Sequence, residues 1–462
     1  MTRREIMNFS EDQQAALEIM KNGDNVFLTG KAGTGKTAVL NAFLEWAQDE
    51  GKNIIACAPT GAAAQRIETI TAYTVHRAFG LKKVSIVRPP AKAKKEIQAA
   101  DIIVIDEISM CRIDLFEHVA RAVQLADEVK RKNEERLARK QNREPQDVHT
   151  QLIVVGDFCQ LEPVLTTADR KIFQGIYGHK LFAFESKLWA GMGFRNAILR
   201  TIHRVADDKA YAESLNSVRT GEDPFVVEWF DCNTAKNAFV SENSVILCGK
   251  NSTAQERNNE RLAGLPGEEI FSPADIKGDA DISSTNTEYA LTFKEGARVM
   301  MLVNSPLGDY FNGSFGTITE CLDEDTVKVK IEETGKVVLV KKHTWTVSEP
   351  VAKEKQVTVT EPDGQTVTKT VTEITEKETG SVTQFPFKLA WAITIHKSQG
   401  MTLKNGVNLY PEFFANGQMY VALSRVDRGS NLYINGILQF QDLRTSPRVR
   451  KFYRAIDKEW GK

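Results

Sequence analysis

NVFLTGKAGTGKTAVLNAFLEWAQDE, residues 25–50, decides how the rest of the chain is read. NVFLTG (25–30) is a short apolar run that reads as a buried strand. In KTAVLNAFLEWAQDE, Val39, Leu40, Phe43, Leu44 and Ala47 recur at helical spacing and put an apolar stripe on one face. Between strand and helix lies GKAGTGKT, Gly30 to Thr37, the Walker A pattern in the strand–loop–helix setting that gives it meaning. Gly30, Gly33 and Gly35 let the backbone amides of the loop, Ala32 and Thr34 included, wrap a phosphate at a helix N-terminus. Lys36 would neutralise the β and γ phosphates of ATP, and Thr37 would ligate Mg2+.

Three more apolar runs, NIIACAPT (53–60), DIIVIDE (101–107) and QLIVVGD (151–157), alternate with helical segments, which predicts a parallel α/β sheet. DIIVIDE ends on two carboxylates at the carboxyl edge of that sheet, beside the phosphate loop. Asp106 can hold the magnesium shell, and Glu107 can polarise an attacking water. GDFCQLEP (156–163) ends the next strand and offers Gln160, an uncharged group able to hydrogen-bond a γ-phosphate or the lytic water. Phosphoryl transfer also needs positive charge where the transition state develops its own. Arg204 in LRTIHR and Arg425 in GQMYVALSR are the two candidates.

A chain of 462 residues exceeds one ordinary core, so two to four structural units are expected. With 42% hydrophobic and 26% charged residues, the composition is that of a globular chain and not a disordered one. No run reaches the length of a membrane span, and MTRREIMNFSEDQQ lacks a signal-peptide core, so a cytoplasmic protein with no membrane partner is expected. Six cysteines without CxxC spacing argue against disulfides and zinc. The formal net charge of -1 does not announce nucleic-acid binding, so any phosphate-binding surface must be a local groove.

From Gln124 to Asp147 a charged run of alternating sign has helical propensity up to Pro145 and reads as a solvated helix protruding between two strands, in preference to a DNA-contacting arm. A second α/β unit begins near Ala197, with SVILCGKN (244–251), GVNLYP (406–411) and NLYI (431–434) as strands. Within it, residues 302–384 alternate apolar and polar at period two, with Asn312-Gly313 and Asp363-Gly364 turns. This predicts a small inserted antiparallel β-barrel with a threonine-rich hairpin near 356–374.

The ordered set GKAGTGKT, APTGAAA (58–64), VIDEISM (104–110), GDFCQLEP, LAWAITIHKSQGMTL (389–403) and GQMYVALSR (417–425) closely resembles superfamily 1B helicases of the petite-integration-frequency type, relatives of the RecD branch. The match runs from Phe9 to about Ile434. The resemblance implies two RecA-like P-loop cores, residues 1–195 and 196–301 with 385–462, a small wedge near 80–97, and the inserted barrel at 302–384. It implies ATP in the cleft between the cores, and 5′ to 3′ stepping along single-stranded DNA that unwinds duplex at junctions in replication, recombination and repair. It also implies a chain active as a monomer. Carried over residue by residue, Gln13 in FSEDQ resembles the adenine-reading glutamine, Arg204 and Arg425 the two γ-phosphate arginines, and Gly400 lies in the motif that senses that phosphate. Pro59, Thr60, Thr74, His76, His396 and Lys397 fall in motifs that line the DNA track, where hydroxyl, imidazole and ammonium groups suit phosphate contact.

The chain departs from the pattern in three places. The charged run after DLFEHVARAVQ (114–124) is long, Glu162 stands where a proline is usual, and KKVSIVRPPAKAKKE (82–96) would form the wedge. A small-molecule kinase would have no use for the second core, whereas an ATP-driven translocase that leaves strands paired would carry the same motor motifs. RNA, hybrid and quadruplex substrates stay open, since phosphate contacts carry no sequence.

Overall fold

Six parallel strands form the sheet that carries the phosphate loop: β1 (Val26–Gly30), β2 (Ile54–Ala58), β3 (Ala72–Thr74), β4 (Ile102–Ile105), β5 (Gln151–Val155) and β6 (Arg195–Leu199), in the order β3-β2-β4-β5-β1-β6. The structure is a computed structural model and describes residues 9–458 apart from 65, 68, 82–86, 166, 206, 237–242, 281, 283, 284, 286 and 361–365. The four expected strands are all present. β3 and β6 are additions: AYT is too short, and RNAIL opens too polar, to read as buried strands. The helix Lys36–Asp49 buries Val39, Leu40, Phe43, Leu44 and Ala47 completely against Val26, Leu28, Val104 and Ile153 of the sheet, the stripe that its spacing predicts.

The charged run is helical but not simply solvated. One helix, Ile113–Gln141, carries it as far as Gln141 and stops four residues before Pro145, with Asn142 in the left-handed conformation that ends helices. Lys130 donates to the Ala100 carbonyl and to Thr150 Oγ1 (2.9 Å), Asp127 accepts the Thr150 amide (2.8 Å), and Ala138 is buried. The run is thus anchored at the amino ends of β4 and β5. Of the expected wedge, residues 82–86 lie outside the described residues. Val87 and Arg88 are tied to the same long helix: the Val87 amide donates to Asp114 Oδ2 (2.9 Å), and the Arg88 carbonyl meets His118 Nδ1 (2.7 Å).

A second five-stranded sheet contains four parallel strands in the order Val245–Cys248, Val407–Leu409, Leu432–Ile434, Ala235–Lys236. Both parallel sheets belong to one compact unit, residues 1–251 with 393–462. Tyr453 ties the helix Pro447–Ile456 to the first sheet: its hydroxyl pairs with Thr29 Oγ1 (2.8 Å), accepts the Phe158 amide (3.0 Å) and donates to Asp157 (3.1 Å). Its neighbour Phe452 stacks on Phe184 (4.3 Å between centroids) in a cluster with Phe27, Phe158 and Trp189.

The other compact unit is residues 252–392. Its five-stranded antiparallel sheet runs Val337–Lys341, Thr326–Ile331, Phe315–Cys321, Arg298–Met301, Phe387–Leu389. A long hairpin, His343–Thr360 with Thr366–Gln384, adds a three-stranded sheet with Asp275–Gly278, and its Asp363-Gly364 turn lies outside the described residues. The unit is wider than the expected insertion at 302–384. A boundary at 302 would part Arg298–Met301 from its partner Phe315–Cys321 and strip Leu262, Phe293 and Val299 from their shared core. Asn312-Gly313 lies in the 302–314 connection between those two strands, not in a tight hairpin.

Candidate functional site

Gly33 and Gly35 hold the phosphate loop open with φ of +82° and +79°, a region that costs other residues. A side chain at Gly33 would also strike Arg204 Cβ at 2.6 Å. The loop closes on itself: Lys36 Nζ donates to the carbonyls of Gly30 (2.9 Å) and Lys31 (3.1 Å). Burial pushes the Lys36 ammonium down from the ordinary lysine range, against the pull of Asp157 and Glu107.

A cavity of about 620 Å³ opens on this loop. Ala32, Gly33, Gly35, Lys36, Thr37, Asp106, Glu107, Gln160, Arg204, Gly400 and Arg425, all singled out from the sequence, line it. Gly30, Thr34 and Gln13 do not line it. Gln13 is buried behind the loop, its amide donating to the Thr34 carbonyl (3.0 Å) while its oxygen accepts the Ser10 amide (3.1 Å).

Burial and the charge of Glu107 push the Asp106 carboxyl up to about 7, although it accepts the Glu107 amide at 2.8 Å. Arg425 is 1% exposed, yet its hydrogen bonds go to neutral oxygens: the carbonyls of Val421 (2.7 Å), Ser398 (3.0 Å) and Met401 (3.2 Å), and Ser424 Oγ (2.7 Å). Arg204 donates to the Ser424 carbonyl (2.9 Å). Burial, then the charges of Arg204 and Arg66, lowers Arg425 well below the ordinary arginine range. Among the described residues neither Arg204 nor Arg425 has an ion-pair partner. Two guanidinium groups without a counter-charge, Arg425 buried and Arg204 half-buried, make a strong site for a polyanion.

Arg66, His203, Thr402, Lys404 and Asp427, none of them a candidate from the sequence, also line the cavity; His203 and Thr402 sit within LRTIHR and LAWAITIHKSQGMTL, the other three outside any such stretch. The amides of His203 (2.8 Å) and Arg204 (3.3 Å) both reach the Gly33 carbonyl. Behind it, Tyr420 accepts the Ala32 amide (2.7 Å), and Arg219 makes a two-pronged bond to buried Asp157 (2.9 and 3.0 Å). Tyr420 sits inside GQMYVALSR, where its apolar neighbours make it look like core, while Arg219 lies in an ordinary amphipathic helix where only the fold singles it out.

The remaining candidates occupy strand ends. Thr74 pairs with Ala58 across β2 and β3, so Pro59, Thr60, Thr74 and His76 share one edge of the first sheet. Both threonines cap the short helices after them, Thr60 accepting the Ala63 amide and Thr74 the Arg77 amide, each at 3.2 Å. His396 and Lys397 lie on the helix Ile395–Ser398, whose cap is Thr394. His396 is half-buried, stacks on exposed Phe414 at 6.2 Å, and lines a separate cavity of about 440 Å³ with Arg170, Lys180 and Arg448. The departing Glu162 lines it too and accepts from Asn416 (2.9 Å).

Residues 13–166 match a family model described as an AAA domain. The chain is 30% identical over 442 residues to the ATP-dependent DNA helicase Pif1 of Campylobacter jejuni, covering 89% of this chain and 88% of that one. It is 27% identical to the ATP-dependent DNA helicase Pif1 of Bdellovibrio bacteriovorus, covering 98% and 93%. Among solved structures it is similar to Bacteroides Pif1 bound to single-stranded DNA, with 28% identity, a TM-score of 0.70 and 99% of both chains covered. The complex of Bacteroides Pif1 with ADP-AlF4 gives 27% identity, a TM-score of 0.72 and 98% of both chains. Among the described residues no helix is long and apolar enough to cross a membrane.

Proposed function

Since this chain belongs to the Pif1 family of ATP-dependent DNA helicases, we propose that it hydrolyses ATP in the 620 Å³ cavity and uses the cycle to step along single-stranded DNA from 5′ to 3′, unwinding duplex ahead of it. The observation that carries this reading is one cavity lined by Lys36, Thr37, Asp106, Glu107, Gln160, Arg204 and Arg425 together. Two RecA-like cores, residues 9–195 and 196–251 with 393–458, would contribute its two walls.

In this reading the loop amides and Lys36 hold the β and γ phosphates, and Gln13, seated behind Thr34, meets the adenine edge. Glu107 takes the proton of the attacking water, and Gln160 registers the γ-phosphate. Arg204 and Arg425 stabilise the charge that develops on the transferred group. Thr37 and Asp106 would hold Mg2+; the fit is supported by the Asp106 carboxyl, which burial and Glu107 disfavour as an anion until a cation sits beside it. Bound there, Mg2+ would neutralise phosphate charge as the transferred group develops more of it.

Pro59, Thr60, Thr74, His76, His396 and Lys397 would contact the DNA backbone, which suits a motor that moves over any sequence. A nucleotide cavity lined from a single chain supports activity as a monomer. The test is ATP turnover with and without single-stranded DNA, followed by strand displacement on duplexes with either a 5′ or a 3′ tail. DNA-stimulated hydrolysis and unwinding from the 5′ tail alone are expected. Unwinding only from the 3′ tail would overturn the polarity, and turnover indifferent to DNA would overturn the motor.

A further inference from the structure

Both oxygens of the Glu107 carboxylate are engaged. Arg66 Nη1 lies 3.4 Å from Oε1, and Gln399 Nε2 donates to Oε2 at 3.0 Å. The Glu107 backbone has φ of +50°, one of two non-glycine residues in the left-handed region among the described residues. Such a conformation persists where its surroundings over-determine it. Gln399 is 2% exposed, and its Oε1 has no donor among the described residues. A buried amide that gives its N–H to a carboxylate and leaves its oxygen unmatched is poised to move once a donor is offered.

The position of Gln399 in the chain says what could move it. It comes directly after the helix Ile395–Ser398, which carries His396 and Lys397, and precedes Gly400. A Cβ on Gly400 would collide with the Arg66 guanidinium, so one turn sets the position of both donors to Glu107. The groups proposed to meet DNA are therefore two and three residues from the amide that holds the proposed general base.

We propose that Gln399 is a positioning residue: without DNA it latches Glu107 away from the attacking water, and strand binding at the His396–Lys397 turn withdraws it. The inference rests on Glu107 being the general base. With the latch closed, a water must compete with two donors for the carboxylate. With it open, one oxygen is free to take the water's proton, and hydrolysis becomes DNA-stimulated with no change in how the nucleotide is held.

The experiment measures ATP turnover of full-length Gln399→Met, Gln399→Asn and Glu107→Gln beside the parent, with and without oligothymidylate, together with melting temperatures. Methionine keeps length and burial but cannot donate to the carboxylate. Its DNA-free kcat should rise about tenfold, equivalent to about 1.4 kcal/mol of barrier, with KM for ATP and the DNA-stimulated kcat each within about twofold of the parent. Gln399→Asn keeps an amide with a shorter reach, carries the same expectation, and decides the matter if the methionine variant does not fold. A merely structural glutamine would lower both rates together, and that result, or an unchanged stimulation ratio, overturns the latch. Glu107→Gln separates the base from the latch. Turnover at the parent rate would overturn both together, whereas an inactive Glu107→Gln beside an unchanged ratio in the Gln399 variants would overturn the latch alone.

Discussion

Arg219→Met should cost the protein much of its stability at neutral pH and progressively less in acid. Arg219 is 5% exposed and gives Nε and Nη2 to Asp157, which is fully buried. Methionine approximates the aliphatic stem and removes the guanidinium, leaving the carboxylate with the Tyr453 hydroxyl and the Cys159 amide, both at 3.1 Å. Stranding one partner of a buried ion pair costs about 3–5 kcal/mol. In the parent, burial alone would raise the Asp157 carboxyl, but the charge and hydrogen bonds of Arg219 hold it below the ordinary value. A depressed carboxyl contributes stability that is present above its unfolded pKa of about 3.9 and is lost as pH falls through the folded value. In the variant only Lys36 and the remaining hydrogen bonds oppose burial, so the carboxyl rises and protonation relieves it. The parent–variant gap should be widest near about pH 7.5 and narrow toward about pH 5. Urea titrations followed by tryptophan fluorescence measure it, since Trp189 packs in the aromatic cluster beside Tyr453. Asp157→Asn combined with Arg219→Met removes both charges and should recover most of the loss. A gap below about 1 kcal/mol at neutral pH, the scale of an exposed pair, or one that does not narrow in acid, would refute the reasoning.

Lys36→Ala should abolish hydrolysis, while Glu107→Gln should still bind a fluorescent ATP analogue and turn over at least about a hundredfold more slowly. Arg204→Ala or Arg425→Ala should each lower kcat by about 10³-fold with little change in nucleotide affinity. Mixing the two arginine variants should restore nothing, and recovery on mixing would mean that the arginines cross between subunits. Replacing residues 348–378 by a glycine–serine turn spares the pairing of His343–Val347 with Gly380–Gln384 and the five-stranded sheet. DNA-stimulated hydrolysis should persist in that variant while unwinding of long duplexes falls, and equal unwinding per ATP would make the hairpin dispensable.

How much could be read in advance depends on the range of the interactions. Val39, Leu40, Phe43, Leu44 and Ala47 declare a buried helix face within 9 residues, and Gly30 to Thr37 declare a loop within 8, because both depend on neighbours in the chain. Arg66 and Gln399 reach Glu107 from 41 and 292 residues away; Arg66 lies in no marked stretch, and Gln399, though within LAWAITIHKSQGMTL, has nothing near it in the chain that names its partner. The charged run misled for a similar reason. Lys130 and Asp127 look like solvent-facing charges until the fold brings Ala100 and Thr150 beside them. The boundary at 302 failed because alternation identifies strands but not which strands pair: Arg298–Met301 belongs with Phe315–Cys321 whatever lies between.

The docking of Phe452 and Tyr453 onto the first sheet has a consequence for synthesis. Thr29 and Tyr453 are 424 residues apart, so the first sheet is translated long before the side chains that seal its aromatic edge exist. At ribosomal rates of about 5–20 residues per second, the 254 residues from Leu199, the end of β6, to Tyr453 keep that edge waiting about 13–51 s. Throughout that interval Phe27, Phe158 and Trp189 form an unfinished apolar surface of the kind chaperones hold, and Thr29 and Asp157 lack the hydroxyl that joins them in the finished fold. Nascent chains arrested before Pro447 should therefore be cut readily by trypsin within residues 1–200 and become resistant only once Tyr453 has emerged; early resistance would show that the first sheet seals itself unaided.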